Sequence, residues 1–215
     1  MSAAHQPPRF ISFEGIDGSG KSTQARLLAE HLRAQGREVV LTREPGGSPG
    51  AEDIRRLVLG GEPDRWSPET EILLFTAARR DHWERTIQPA LDRGATVITD
   101  RFADSTRVYQ GTTRGDLTDM VDRLHTLMIG VQPDLTFVLD LPPAQGLDRA
   151  VAREAGAAQD ESRFEGFGLS FQERLRAGFH DLARQAPERV RLIDGTGSLD
   201  AVAARVRAAF ETEKA

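Results

Sequence analysis

The stretch FEGIDGSGKS, Phe13 to Ser22, sets Gly15, Gly18 and Gly20 within ten residues and ends in a lysine and a serine. An apolar run precedes it. The segment that follows, STQARLLAEHLRAQG, spaces its apolar residues near 3.6 and closes on Gly36, the pattern of an amphipathic helix with a glycine stop. A strand, a glycine-rich turn and a helix therefore meet at this point. Glycines there permit backbone torsions and close approaches that a Cβ would forbid, so successive N–H groups can turn inward on an anion. The start of the helix adds the positive end of its dipole.

Outward from this turn, apolar runs bounded by Gly, Pro or charge recur at RFISFEG, REVVLTREP, ATVITDR, DLTFVLDLPP and RVRLIDG. Each has the length of a strand buried on both faces. Helix-like segments separate them: AEDIRRLVLGG, SPETEILLFTAARRDHWERTIQPALDRG, LTDMVDRLHTLMIG and LSFQERLRAGFHDLARQAP. Such alternation predicts a mostly parallel sheet with helices on both faces, whose right-handed crossovers leave ligand sites at the carboxyl ends of the strands.

In that context Gly15, Gly20, Lys21 and Ser22 satisfy G-x-x-x-x-G-K-[ST], the phosphate-binding P-loop. The expected fold is a three-layer α/β P-loop NTPase fold: a five-stranded parallel sheet, helices on both faces and a small mobile lid. One domain over residues 1–215 is expected, with the lid at about 150–166 in the alanine- and glycine-rich stretch that includes REAGAAQDESRFEG. Gly15, Ile16, Asp17, Gly18, Ser19, Gly20, Lys21 and Ser22 form the candidate ATP site. Lys21 would reach the β- and γ-phosphates, and the Ser22 hydroxyl would ligate Mg²⁺. A carboxylate at Asp17 beside a triphosphate would be repelled unless it faces a second substrate.

Composition bounds the function. With 28 Lys+Arg against 33 Asp+Glu the formal net charge is −5, a poor balance for a broad nucleic-acid surface, although a few converging arginines can hold a small anion. No apolar run approaches the roughly 18 residues of a membrane helix, and the N-terminal MSAAHQPPRF has no signal-like apolar core, so a soluble protein is expected. Zero cysteines exclude disulfides and thiolate chemistry and fit a reducing cytoplasm. The five histidines lack metal-ligand spacing and receive no chemistry here.

A second set of residues falls after the strands. Glu44 in TREPGG and Arg55 on the following helix are positioned to line a cleft. FTAARR places Phe75 and Arg79 at i, i+4 on one helix face, an aromatic platform beside a guanidinium fork. Thymine, with an O4 acceptor and a C5 methyl, suits such a pair. Asp100 and Arg101 end the third strand, one able to serve Mg²⁺-bound water and the other a phosphate. Ser105, Thr106, Tyr109 and Gln110 follow as a polar cluster too rich in hydrogen-bonding groups to read as helix core.

At these residues the chain resembles the bacterial thymidylate kinases, through FEGIDGSGKS, TREPGG, FTAAR, DR followed by ST and YQG, PDLTFVLDL and a closing LIDGTGSLDAV, in order and nearly end to end. The resemblance implies transfer of the γ-phosphoryl group of ATP to dTMP, giving dTDP and ADP, in a homodimer. It implies that Phe75 stacks on thymine and Arg79 donates to O4, with Ser105, Thr106 and Gln110 at the polar edge of the base or sugar. Tyr109 would favour deoxyribose and Asp17 would meet the 3′-hydroxyl. Arg55 and Arg101, with Glu44, would hold the acceptor phosphate, and a lid arginine, Arg153 or Arg163, would complete a catalytic set with Lys21, Arg101 and Asp100. Adenine would lie against the late loop near Gly195, Thr196 and Gly197. The alternatives are a kinase of another nucleoside monophosphate or of a deoxynucleoside, and an ATP-binding regulator without catalysis.

Overall fold

A computed structural model describes residues 9–62, 64–154 and 168–213, the side chains of 150–154 excepted. Strand β1 (Phe10–Glu14), built from FISFE, is buried along its whole length. It lies at the centre of a five-stranded, all-parallel sheet of order β2-β3-β1-β4-β5, with β2 at Val39–Arg43, β3 at Thr96–Asp100, β4 at Leu135–Asp140 and β5 at Val190–Asp194. The five apolar runs thus form the five expected strands. Only the inner three are buried on both faces. On β2, Leu41 and Arg43 are exposed, and on β5 Leu192 and Asp194 are, because each edge strand lacks a neighbour on one side.

Register brings the carboxyl ends of the strands together. Phe13 pairs with Asp100 and Phe137, and Arg43 pairs with Asp100, so the residues that leave β1, β2 and β3 emerge side by side. Sequence order then puts the glycine turn, TREPGG and DR at one mouth of the sheet.

Helix α1 (Lys21–Ala34) and helix α9 (Leu199–Thr212) cover one face, packing Leu28, Leu32, Val202, Val206 and Phe210 on Ile11, Phe13, Phe137 and Ile193. Helix α8 (Leu169–Gln185) covers part of the other, where Phe171, Leu175 and Phe179 meet Val138, Tyr109 and Val190. Helices α2 (Pro49–Leu59) and α3 (Pro68–His82) pack on each other beyond β2. Ser67 caps α3 by accepting from the Thr70 N–H, ahead of Pro68 at the first turn, as S-P-E predicts. The long segment after Ser67 is not one uniform helix: α3 passes through a π-helical turn, Trp83–Ile87, into a short α4, Gln88–Asp92. Pro89 lacks the N–H that would continue the α-helical ladder, which places the irregularity there.

Among the described residues, three helices appear beyond those expected. Ala103–Thr106 (α5) runs on as a π-helical stretch, Arg107–Thr112, ahead of α6 (Thr118–Met128), while α7 (Pro143–Glu154) follows β4 and α9 follows β5. The polar cluster of STRVYQG is therefore helical, and Ser105, Thr106, Tyr109 and Gln110 are all buried. Buried partners satisfy their polar groups, which composition alone does not reveal. Among the described residues no helix is long and apolar enough to cross a membrane.

Candidate active site

The turn after β1 closes on itself through the Ser19 N–H, which donates to the Ile16 carbonyl at 3.3 Å. Two of its glycines are required by space as well as torsion. Gly15 has φ 131°, and a Cβ there would stand 2.7 Å from the Leu139 carbonyl oxygen; Gly18 has φ 72°, and a Cβ would meet the Gly146 carbonyl of α7 at 2.0 Å. The phosphate loop is thus pressed between β4 and α7. Lys21 is buried at the start of α1, its Nζ donating to the Ile16 carbonyl at 2.7 Å. Burial, assisted by the Arg101 guanidinium, pulls its ammonium down to about 8.

Ser22 Oγ donates to Asp100 Oδ2, which joins the first turn of α1 to the end of β3. The second oxygen, Asp100 Oδ1, is buried and has no hydrogen-bond partner among the described residues. Among the described residues no group of three or more His, Asp or Glu could hold a metal by itself. A hydroxyl beside one under-used carboxylate fits Mg²⁺, which takes few protein ligands and keeps waters and phosphate oxygens.

Arg101 occupies the junction of the site with φ 70°, a left-handed conformation rare for a residue with a side chain. Its surroundings hold it there. The Arg101 N–H donates to the Phe13 carbonyl at 2.9 Å, Thr99 Oγ1 donates to the Arg101 carbonyl at 2.8 Å, and the Phe102 N–H donates to Glu14 Oε1 at 2.7 Å. The guanidinium donates to Asp17 Oδ1 at 2.5 Å, to Tyr109 OH at 3.1 Å, to Ser105 Oγ at 3.0 Å and to the Gly15 carbonyl at 3.2 Å. Tyr109 in turn donates to Asp17 Oδ2 at 3.0 Å; burial and then the Asp17 carboxylate keep its hydroxyl protonated, although Arg101 works the other way. Asp17, inside the phosphate loop, thus has its charge paired with Arg101.

Glu14 lies behind Arg101 and is fully buried. Burial, then the nearby Asp104 carboxylate, push its carboxyl up to about 8; Ser105 Oγ donates to Oε2 at 2.5 Å. An unfolded chain would ionise Glu14 near 4.5, whereas the folded chain keeps it neutral to about 8. Its contribution to stability is therefore full below the lower value and is lost as pH rises through the upper one. Glu14→Gln keeps an acceptor for Phe102 and an N–H toward Ser105, so it should flatten that slope. Thermal melts at pH 5 and pH 8 should differ less for the variant than for the wild type; equal slopes would show that Glu14 is ionised in the fold.

The other end of the crevice is built on α3. Phe75 and Arg79 line it together with Leu59, Thr106, Tyr109 and Gln110. Arg79 is buried: Nε donates to Glu44 Oε2 at 2.7 Å, Nη2 donates to Thr106 Oγ1 at 2.9 Å, and the guanidinium lies 5.2 Å from the centre of the Phe102 ring. Burial opposes the Glu44 charge, but Arg79 and His82 outweigh it and hold the carboxyl below its usual range. Arg55 donates to the Pro45 carbonyl at 2.7 Å, on the same side of the crevice.

Lys21, Asp100, Arg101, Arg55, Phe75 and Arg79 face one space of about 770 Å³, large enough for two nucleotide-sized ligands meeting end to end. Gly195 and Gly197 line its far side with Leu199 and Val202 of α9, while Thr196 turns back, donating from N–H and hydroxyl to Asp194. Contributors without a motif of their own include Arg149 of α7, Gln24 of α1 and the apolar face of α9. Arg149 stands one helical turn before Arg153, the only hint in the sequence. The Arg153 side chain, Arg163 and most of the expected lid at 150–166 lie outside the described residues.

A P-loop at one end, an aromatic–arginine platform at the other and an arginine between them define a P-loop kinase. Residues 13–206 match the family model for thymidylate kinase, and the chain belongs to that family. It is 70% identical over 201 residues to a protein of Dinoroseobacter shibae named thymidylate kinase, covering 94% of this chain and 95% of that one. A protein of the same name from Ruegeria pomeroyi is 68% identical over 197 residues, covering 92% of each. The crystal structure of thymidylate kinase from Ehrlichia chaffeensis superposes with a TM-score of 0.76 at 36% identity, covering 96% of this chain and 99% of that one.

Proposed function

We propose that this chain transfers the γ-phosphoryl group of ATP to the 5′-phosphate of dTMP, giving dTDP and ADP. One observation carries the reading: Arg101 contacts the phosphate loop through Gly15 and Asp17 and the opposite side through Tyr109, within a crevice that also holds Lys21 and Phe75. An acceptor that is already anionic needs cations where two repelling phosphates meet. Lys21 would leave the Ile16 carbonyl for the donor phosphates, whose charge would restore its full protonation. Arg101 and Arg55 would hold the acceptor phosphate, and Asp17, with Tyr109, would face the 3′-hydroxyl. Phosphoryl transfer has a loose transition state, so these groups act by alignment and charge neutralisation rather than by covalent attack. Bound near Ser22 and Asp100, Mg²⁺ would supply further charge neutralisation on the phosphates.

The reading assigns thymine to Phe75 and Arg79, and adenine to the edge formed by Gly195, Gly197 and Leu199. Arg149, on the described part of α7, joins Arg153 and Arg163 as a source of lid charge over one kinase domain. A homodimer is supported by Leu73 on α3 and Leu127 and Met128 on the adjoining α6, all exposed apolar side chains. The absence of cysteine suits a cytoplasmic setting.

The test is ADP release with Mg-ATP over a panel of nucleoside monophosphates. dTMP should be preferred, with dUMP slower but accepted, since one methyl group in an apolar pocket is worth about 1–3 kcal/mol. Preference for dCMP or AMP would overturn the acceptor assignment, and tight ATP binding without turnover would favour a regulator. In the same assay Phe75→Ala should raise the KM for dTMP by about tenfold or more, from lost stacking and burial, and leave that for ATP near its starting value. Equal rises in both would refute the platform.

A further inference from the structure

We propose that His82 is a positioning residue for the acceptor base: acting through Glu44, it fixes the Arg79 guanidinium and thereby the preference for a 4-keto pyrimidine. The inference rests on the dTMP reading above.

His82 closes the face of α3 that begins with Phe75 and Arg79, and its side chain is completely buried. Nδ1 stands 3.0 Å from Glu44 Oε1, and Nε2 stands 2.7 Å from Thr42 Oγ1. Because Nδ1 faces a carboxylate oxygen, which only accepts, the proton belongs on Nδ1; in the neutral ring Nε2 then accepts from the Thr42 hydroxyl. Gly47 completes the enclosure. A Cβ at that position would lie 2.4 Å from His82 Nε2 and 2.4 Å from Thr42 Oγ1. Three of the six residues of TREPGG, namely Thr42, Glu44 and Gly47, therefore meet around one imidazole from another element.

The consequence is carried by Glu44. Its two oxygens are divided between His82 and Arg79, so the carboxylate plane is set from both sides. Arg79 spends Nε on Glu44 and Nη2 on Thr106, both at hydrogen-bonding distance. Among the described residues no hydrogen bond takes its two Nη1 N–H groups or the second N–H on Nη2, and this edge is the part available to a ligand in the crevice that Arg79 lines. A donor edge held rigidly donates to the O4 of thymine or uracil and meets the 4-amino group of cytosine donor to donor. Without the His82 proton, Glu44 Oε1 is a buried oxygen lacking a donor; the carboxylate turns and takes Arg79 with it.

The experiment compares His82→Asn and His82→Gln by steady-state kinetics with dTMP, dCMP and ATP, after thermal unfolding has established that both are folded. An asparagine amide N–H falls near the place of Nδ1–H, whereas a glutamine amide reaches the place of Nε2 and leaves Glu44 unserved. His82→Gln should raise the KM for dTMP and lower the dTMP-to-dCMP ratio of kcat/KM, each by about tenfold, the scale of one buried hydrogen bond to a charged group. The KM for ATP should hold, and His82→Asn should retain most of the selectivity. An unchanged ratio in His82→Gln overturns the inference, as does an equal loss in both variants with a parallel rise in the KM for ATP, which marks a purely structural histidine. Nitrogen NMR of histidine-labelled wild-type protein adds a measurement free of variants: a proton on Nδ1 of His82 is expected, and one on Nε2 alone overturns the inference. A wild type that does not prefer dTMP at all is a separate outcome, and it removes the acceptor reading together with this consequence of it.

Discussion

Lys21→Ala is expected to lower kcat by about 100- to 1,000-fold, the cost of removing one preorganised charge from the moving phosphoryl group. The residue is buried at the first turn of α1 with its Nζ on the Ile16 carbonyl, inside the loop that would enclose the donor phosphates. Burial and then Arg101 draw its ammonium down to about 8, and a polyanion beside it would favour the charged form. Because the proposed function puts Lys21 in the donor half, dTMP affinity measured by calorimetry should change little. Loss of acceptor binding along with turnover would show that the two halves of the crevice are not separable.

The second large effect concerns Arg101, and two substitutions separate its chemistry from its backbone. Arg101→Ala and Arg101→Gly should both lower kcat/KM for dTMP by about 100- to 1,000-fold, since either one removes the guanidinium proposed to stand between the phosphates. The two should not be equally stable. At φ 70° an alanine retains the steric cost of the left-handed region, roughly 1–2 kcal/mol, whereas glycine escapes much of it at some cost in unfolded-chain entropy. Arg101→Gly should therefore melt at or above the temperature of Arg101→Ala while remaining just as inactive. A glycine variant that is active, or clearly less stable than the alanine variant, would sink this account of the residue. The strain at Arg101 is sustained by bonds from Phe13, Thr99 and Glu14, and it turns the guanidinium toward Asp17 and Tyr109.

His82 and Glu14 show where sequence reading stops. Neither carries a signal of its own: one is a histidine without metal-ligand spacing, and the other is a glutamate ending an apolar strand. Their chemistry arises from burial beside particular partners, Glu44 and Thr42 for the first, Ser105 and the Phe102 N–H for the second. Ser105 teaches the same lesson in reverse. Its hydroxyl belongs to a polar cluster that the family resemblance puts at the polar edge of the base or sugar, and in the fold it also bridges Arg101 and Glu14. Glu44, expected at the acceptor phosphate, pairs with Arg79 and His82. Short-range pattern cannot assign such partners, because they come from residues up to 91 positions apart in the chain.

Sequence by itself determined the strand–glycine–helix turn, the five strands and the residues at their carboxyl ends, because local periodicity and backbone freedom act over a few residues and leave a readable trace. Tertiary structure alone decided which buried polar group answers which. It set Arg101 in a left-handed turn, gave Glu44 to Arg79 and brought α7 and α9 to the crevice. Hydrogen bonding in a dry interior is a contest among distant groups, and only the packed sheet and helices bring those groups within reach of one another.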